Sequence, residues 1–321
     1  MESSAEFSHT IVVPCYNALH YLRKTLPALL SLVESNPAVE LVLVDNGSTD
    51  DTWEFLSSHR HARLRVLQNP DALVGEVRNS GARLARGERL VFVDADCLVP
   101  CNYLEEIDSA FARSGAAAVG AYYAMSPDPN WLERAWHSLH APSHEGFVRW
   151  VPAGNLAVKK LVFDSIGGFR SDLSSGEDVD LCRRLSECGE RVFQSTSIVS
   201  HHLGNAKQIR TFVRKHAWHG EGMLAAQGRG RLNRPLLMTL SHWGLLACAS
   251  VVVAAIRPGL PEGAAILVAA GLVIPAITVG FRSLQKQRWI NPVTGCAAYF
   301  LYYVSRGISL TRAPRSRTPS T

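Results

Sequence analysis

The sequence predicts an α/β protein: a mostly parallel sheet with helices on both faces, followed by C-terminal membrane helices. Three observations lead there. Short runs rich in Val, Ile and Leu alternate with longer stretches of helical periodicity; those runs are apolar without a break and end in polar residues; and beyond about residue 235 the chain becomes almost free of charge. Unbroken apolar strands indicate a sheet buried on both faces, and strand–helix alternation indicates parallel pairing.

The first run, "TIVVPCYN", reads as a strand that leaves into a loop at Pro14, Tyr16 and Asn17. After it, "HYLRKTLPALLSLVES" carries apolar residues at helical spacing. The second run, "LVLVDNGS", ends at Asp45, with Gly47 permitting a tight turn. "DDTWEFLSSH" is the next helix, where Asp50 and Asp51 suit its N-terminal dipole. Strands "RLRVLQNP" and "RLVFVDAD" follow. Ligands of such sheets bind outside the carboxyl ends of the strands, so Asn17, Asp45, Asn46, Asp94 and Asp96 converge on one crevice.

The fourth run poses an electrostatic question. In an extended chain Asp94 and Asp96 point to one side and Ala95 to the other. Two carboxylates so placed repel each other unless a cation or a shared proton intervenes, so a divalent metal and a phosphoryl-accepting aspartate are both open at this point. A second acidic cluster, Glu177-Asp178, opens "EDVDLCRRLSECG", where Leu181 and Leu185 share a helical face. Acids in a first helical turn complement the dipole whether or not they are catalytic. No G-x-G-x-x-G follows the first strand and no G-x-x-x-x-G-K-[ST] occurs anywhere, which excludes a dinucleotide fingerprint and a P-loop.

The C-terminal part has another character. Leu236 to Ile256 is uncharged and, at about 1.5 Å per residue, spans roughly one bilayer core. Gly263 to Phe281 is a second uncharged stretch. Two buried core helices are the competing reading. The net charge of +5 is concentrated before the first span, in Lys207, Arg210, Arg214, Lys215, Arg229, Arg231 and Arg234 against Glu221. By the positive-inside rule this gives a hairpin with both ends in the cytoplasm. Val293 to Leu310 contains Arg306 and precedes Arg312, Arg315 and Arg317, which favours an interfacial or re-entrant segment over a third span. "MESSAEFSHT" lacks the basic and apolar regions of a secretory leader. Seven cysteines without a C-x-x-C pair suit a reducing compartment and exclude a zinc ribbon. His137, His140 and His144 have metal-like spacing but no Cys or Asp nearby, which argues against a metal site.

Together, "VVPCYN", "VLVDNGSTDDT", "GEVRNSGARLARGERLVFVDAD", "VPAGNLAVKKLVFDSIGGF" and "GEDVDLCRRL" resemble the family 2 glycosyltransferases of the GT-A fold, from about residue 9 to residue 222. Asn46 stands where the family usually has a second Asp. The resemblance implies that Asp45 and Arg78 hold the nucleotide base, with Pro14, Tyr16, Asn17 and Ala95 lining the nucleotide-sugar site. It implies that Asp94 contacts the donor or the metal, that Asp96 binds Mg²⁺ or Mn²⁺, and that His201, with His202 competing, is the late metal ligand. Asp178 becomes the general base with Glu177 beside it, and Gly154 and Asn155 face the acceptor.

The expected reaction is metal-dependent and inverting, moving one sugar from a nucleoside-diphosphate sugar, UDP by default, to a hydroxyl. "QGRGR" from Gln227 lacks the Trp of the Q-x-x-R-W motif of processive synthases, so single transfer is expected. The expected acceptor is a lipid-linked or other glycan of the cell envelope or exopolysaccharide, with a membrane and no nucleic acid as partner. The domains expected are 1–228 catalytic, 229–310 membrane-associated (spans 236–256 and 263–281, with 293–310 interfacial or a third span) and a flexible tail 311–321, on the cytoplasmic face of the inner membrane. A haloacid dehalogenase-like phosphatase, with Asp94 as nucleophile, and a catalytically silent membrane scaffold are the alternatives. The first lacks the Gly and Thr its pattern wants after the second Asp, where this chain has Cys97 and Leu98.

Overall fold

The computed structural model of the chain describes residues 7–142, 144–221, 234–257, 259–287 and 289–311. The expected boundary at 228/229, the "QGRGR" segment, Arg229, Arg231 and the tail from residue 312 lie outside them. Two compact units are present. One runs through Pro127 and resumes over Pro142–Gly204; the other comprises Asp128–Ala141 and the chain from Asn205.

The first unit begins β1 (Phe7–Cys15), α1 (Leu19–Ser35), β2 (Val39–Asp45), α2 (Thr52–Ser58), β3 (Leu64–Gln68), α3 (Val74–Leu84), β4 (Gly87–Val93), β5 (Cys97–Leu98), α4 (Tyr103–Ser114) and β6 (Ala118–Gly120). α5 (Trp131–His140) belongs to the second unit. The first resumes with β7 (Gly146–Val148), β8 (Asn155–Lys159), α6 (Lys160–Ser165), α7 (Glu177–Glu187), β9 (Val192–Gln194) and β10 (His201–His202). Eight strands form one sheet in the order β3-β2-β1-β4-β8-β6-β9-β7, and β5 pairs with β10. β3, β2, β1 and β4 are parallel, as the sequence leads one to expect. The other half is mixed: β8 is antiparallel to both β4 and β6.

The strand order places β1 between β2 and β4, so the chain winds outward to β3 and then crosses back to the far side of β1. That reversal opens a crevice at the carboxyl ends of β1 and β4, where ligands of open α/β sheets bind. The apolar runs divide by alternation. Ile11, Val13, Val91 and Val93 pack with Leu22, Leu26 and Leu29 of α1 and Ile107 of α4 on one face. Val12, Leu90 and Phe92 pack with Phe163, Phe169, Leu181 and Leu185 on the other. The Leu181–Leu185 face seen in the sequence is thus the buried side of α7. α3 lies close against the sheet at Gly81, where a Cβ would come within 2.4 Å of Val12 Cγ1.

The second unit contains α5, α8 (Ile209–Glu221), α9 (Arg234–Ile256), α10 (Leu260–Lys286) and α11 (Pro292–Leu310). The Asn130 side chain caps α5, accepting from the Leu132 and Glu133 amides, and Asn291 caps α11 in the same way. His140, from the histidine cluster weighed above, stacks on Trp136 with ring centres 3.8 Å apart. Burial pushes its pKa down to about 3. α9 and α10 are both long and apolar enough to cross a membrane, and only 17% and 22% of their most apolar windows are buried. Core helices of soluble proteins are mostly buried, so these two do not fit that alternative. α11 instead buries Tyr299, Tyr302 and Tyr303 among side chains that include Trp136 and Phe212.

Phe92 lies beneath the β4 carboxyl end with ring centres 5.4 Å from Phe163 and 5.0 Å from Phe169. Phe92→Ala is expected to cost about 3–5 kcal/mol, read as a lowered unfolding midpoint of the purified protein.

Candidate active site

β4 delivers Asp94 and Asp96 to the crevice, and the two acidic motifs meet there through one arginine. Arg78, on the sheet-facing side of α3 and 4% exposed, donates from Nη2 to Asp94 Oδ1 and from Nη1 to Glu177 Oε1, both at 2.7 Å. Tyr123 OH donates to the other Asp94 oxygen at 2.8 Å. Gly154 lies against the same group, since a Cβ there would fall 2.0 Å from Asp94 Oδ2 and 2.5 Å from Tyr123 OH. Gly204 does the same for Asp96, with a Cβ position 2.0 Å from its Oδ2. Any side chain at either glycine would displace a carboxylate.

The metal-capable cluster is Asp94, Asp96, Cys97 and His202, whose ligand atoms all lie within 4.8 Å of one another. His202 Nε2 is 3.4 Å from Asp96 Oδ2. Of the two competing histidines it is His202 that joins the cluster: neighbours in a strand face opposite ways, and His201 Nδ1 bonds to Met125 O at 2.8 Å. His202 also packs on Tyr123, with ring centres 4.6 Å apart. Burial, then Asp96 and Asp94, push the Cys97 thiol well above its ordinary value, and Mg²⁺ and Mn²⁺ prefer oxygen donors to a thiol. The remaining set, two carboxylates and an imidazole, fits a cation such as Mg²⁺ or Mn²⁺.

Electrostatics separate the carboxyls. Burial alone would raise Asp94, but Arg78, His202 and the Tyr123 hydroxyl hold it below the usual carboxylate range. Asp178 goes the other way: burial, then the adjacent Glu177 carboxylate, push it up to about 7. Its Oδ1 accepts from the Val179 amide at 2.7 Å. One carboxyl is thus fixed as an anion while its neighbour across Arg78 and Glu177 titrates near neutrality, the pattern by which acid and base tasks are divided.

Several expected ligand residues have other work in the structure. Arg78, expected at the base, has both terminal nitrogens on carboxylates of the two motifs. Asp45, fully buried, organises its own turn by accepting from the Gly47 and Ser48 amides at 3.1 Å each and from Gln68 Nε2 at 3.3 Å. Asn17, at φ 47°, accepts from the Thr49 amide at 2.8 Å and so ties the β1 loop to the β2 loop. Asn155 is 1% exposed and takes the Tyr103 hydroxyl at 2.7 Å while donating to Ala121 O, which turns it into the core rather than toward an acceptor. Ala95 packs into the core on the α1 side, its carbonyl accepting from Thr25 Oγ1 at 2.7 Å. Pro14 is half-buried and Tyr16 is 51% exposed at the crevice end of β1. Tyr123 and Gly204 were missed by sequence reasoning. Both lie outside the quoted motifs, in loops that carry no periodic signal.

Comparison with known proteins agrees with this geometry. A family model described as glycosyl transferase family 2 matches residues 10–171, half of the chain. The pre-mycofactocin glycosyltransferase of Mycobacterium tuberculosis is 25% identical over 225 residues, 66% of this chain and 46% of the relative. The chain therefore spans less than half of that protein's length. Glycosyltransferase AglE of Haloferax volcanii is 25% identical over 74% of this chain and 80% of its own. Among solved structures, the mannosyltransferase PcManGT of Pyrobaculum calidifontis, in complex with GDP-Man and Mn²⁺, superposes with a TM-score of 0.63 at 19% identity, covering 94% of this chain and 87% of that one. It shares the fold.

Replacing Arg78 by Met leaves two buried carboxylates facing each other without a counter-charge, and a loss of about 3–5 kcal/mol in unfolding free energy is expected. Arg78→Lys keeps the charge but not the two-pronged geometry, and an intermediate loss is expected in the same denaturation experiment.

Proposed function

The chain belongs to glycosyl transferase family 2, and we propose that it moves one sugar from a nucleoside-diphosphate donor to a hydroxyl of a lipid-linked acceptor, with inversion at the anomeric carbon. One observation carries the reading: Arg78 joins the strand-end aspartates to the Glu177-Asp178 pair, so anion-handling and proton-accepting groups face one crevice. UDP is the favoured donor nucleotide on family resemblance. A phosphoryl-enzyme role for Asp94 is disfavoured, because both of its oxygens are already engaged by Arg78 and Tyr123.

Asp96, Asp94 and His202 are the residues that would hold a divalent cation, which when bound neutralises charge building on the departing diphosphate. Arg78 and Tyr123 fix the Asp94 carboxylate in orientation, so it need not reorganise during the reaction. Asp178 takes the proton of the attacking hydroxyl. Its elevated pKa makes it a stronger base than an ordinary aspartate while leaving about half of it ionised at neutral pH. Glu177, held by Arg78, keeps that pKa high without itself leaving the pair.

The membrane part of the reading rests on α9 and α10, whose bare apolar residues include Leu240, Val251, Ile256, Val268, Ile277 and Phe281. Water would not leave so much apolar surface uncovered on a monomer, whereas lipid covers it. The basic residues before α9 support a reading with both hairpin ends and the catalytic unit on the cytoplasmic face of the inner membrane.

Turnover of a nucleotide-sugar panel by membranes tests the proposal. Activity is expected to need Mg²⁺ or Mn²⁺, to vanish with chelator and to fall sharply in Asp96→Ala. A raised pKa means that the folded protein holds the Asp178 proton until about pH 7. The base form therefore appears only above that point, and kcat/KM should climb with pH through about 7 and then level. Ionising Asp178 costs the fold in the same window, so stability without ligand should decline as pH rises toward 7. Asp178→Asn should lower turnover about 10²–10⁴-fold and abolish that limb. Full activity in Asp178→Asn would show the base to be another group.

A further inference from the structure

The second unit holds a charge that the catalytic reading leaves without a task. Arg306 is the single Asp, Glu, Lys or Arg in α11. Its guanidinium carbon stands 5.0 Å over the Tyr302 ring centre. Nη1 approaches the backbone of α8 at Gly220, where even a Cβ would lie 3.2 Å from it. Nε and Nη1 are shut off from solvent and have no hydrogen-bond acceptor among the described residues. A guanidinium stripped of water and left without acceptors is costly. Arg78, more deeply buried at 4% exposed, has two carboxylates; Arg306 has none among the described residues.

No described carboxylate relieves it. Burial, and then His219, Arg306, His140 and Lys215, hold His216 well below its ordinary value, and every charge in that set is cationic. Arg306 as a whole is only half-buried, so one edge of the fork is reachable from outside. An anion with two acceptor oxygens, arriving from beyond the unit, would supply the partner these donors lack. Phosphate matches the two-pronged donor geometry of arginine. α9 packs beside the site, its Trp243 Nε1 donating to Tyr303 O at 3.2 Å, and the rest of α9 presents bare apolar residues such as Leu240 and Val252. An anion carried on an alkyl chain would match that apolar surface.

From this we infer that Arg306 seats the phosphate of a membrane lipid, between Tyr302 of α11 and Gly220 of α8. Resting on the proposed function, that phosphate is the one carried by the lipid-linked acceptor. The seat fixes the acceptor by its phosphate, independently of the sugar chemistry.

The test compares wild-type full-length protein with Arg306→Met and Arg306→Lys. Each is floated with phosphatidylcholine vesicles, plain or doped with phosphatidylglycerol or a polyisoprenyl phosphate, and melted in detergent with the same lipids or with inorganic phosphate. Wild type is expected to bind polyisoprenyl phosphate vesicles roughly tenfold or more tighter than plain ones, the scale of one charged hydrogen bond, and to melt higher with that lipid. Arg306→Met should lose both effects and Arg306→Lys keep part of them. Without lipid, Arg306→Met should melt no lower than wild type, because the change removes an unpaired buried charge. An Arg306-dependent gain with phosphatidylglycerol equal to that with the isoprenoid would support the seat and assign it to bulk phospholipid. A gain from inorganic phosphate alone would overturn the lipid assignment. Equal lipid preference in wild type and Arg306→Met, or a lipid-independent drop in the melting temperature of Arg306→Met, would overturn the seat itself. Nucleotide-sugar turnover by wild type is scored separately, so failure of the glycosyltransferase reading is distinguishable from failure of this one.

Discussion

Arg78 is the constraint on which the rest of the catalytic unit depends. Its two 2.7 Å contacts bridge a carboxylate at the end of β4 to one at the start of α7, residues brought together from distant parts of the sequence. Each carboxylate alone in this enclosed position would be driven toward its neutral form. The guanidinium keeps Asp94 charged and anchors Glu177, and Glu177 in turn helps to raise Asp178. The guanidinium lowers both Asp94 and Asp178, and the opposite protonation tendencies on the two sides of the crevice arise because burial and Glu177 outweigh it at Asp178. Such a bridge is seldom the most stable filling for a core, since well-packed apolar groups often do better. Its placement here is better accounted for by what it does to the neighbouring carboxyls than by what it adds to stability.

Space around the bridge is controlled as closely as charge. Gly154 and Gly204 leave no Cβ where Asp94 and Asp96 lie, and Tyr123 fills the gap between Asp94 and His202. The parallel half of the sheet supplies the carboxyl ends that carry the aspartates. The antiparallel β8 brings Gly154 beside them, because its register sets Asn155 opposite Val93. The mixed half of the sheet is thus part of the site as much as the parallel half.

Much of this was legible in the chain. Asp94 and Asp96 stood out because an unbroken apolar strand ends in two acids on one side, and Leu181 with Leu185 oriented α7 correctly. The two apolar helices were visible from charge-free length alone. What could not be read depended on contacts distant in sequence or on very short elements. Arg78 is polar at a helical position, and nothing local says that its guanidinium turns inward to two carboxylates. The choice between His201 and His202 hangs on which way a two-residue strand faces, and that is set by its pairing with Cys97 and Leu98. Asp45 and Asn17 occupy expected positions but are engaged with their own loops, a use of strand-end polar groups that sequence does not separate from ligand binding. The inserted Asp128–Ala141 segment carries helical periodicity and no sign of its grouping with the C-terminal helices.

The central claim is that Asp94 and Glu177 act as a unit through Arg78. A double-mutant cycle on Asp94→Asn and Glu177→Gln, read in both unfolding free energy and kcat/KM, addresses it directly. The account requires the two substitutions to be coupled by on the order of 1 kcal/mol or more, the range found for residues sharing one ion-pair network. Effects that add to within about 0.5 kcal/mol in both readouts, as for independent sites, would contradict it.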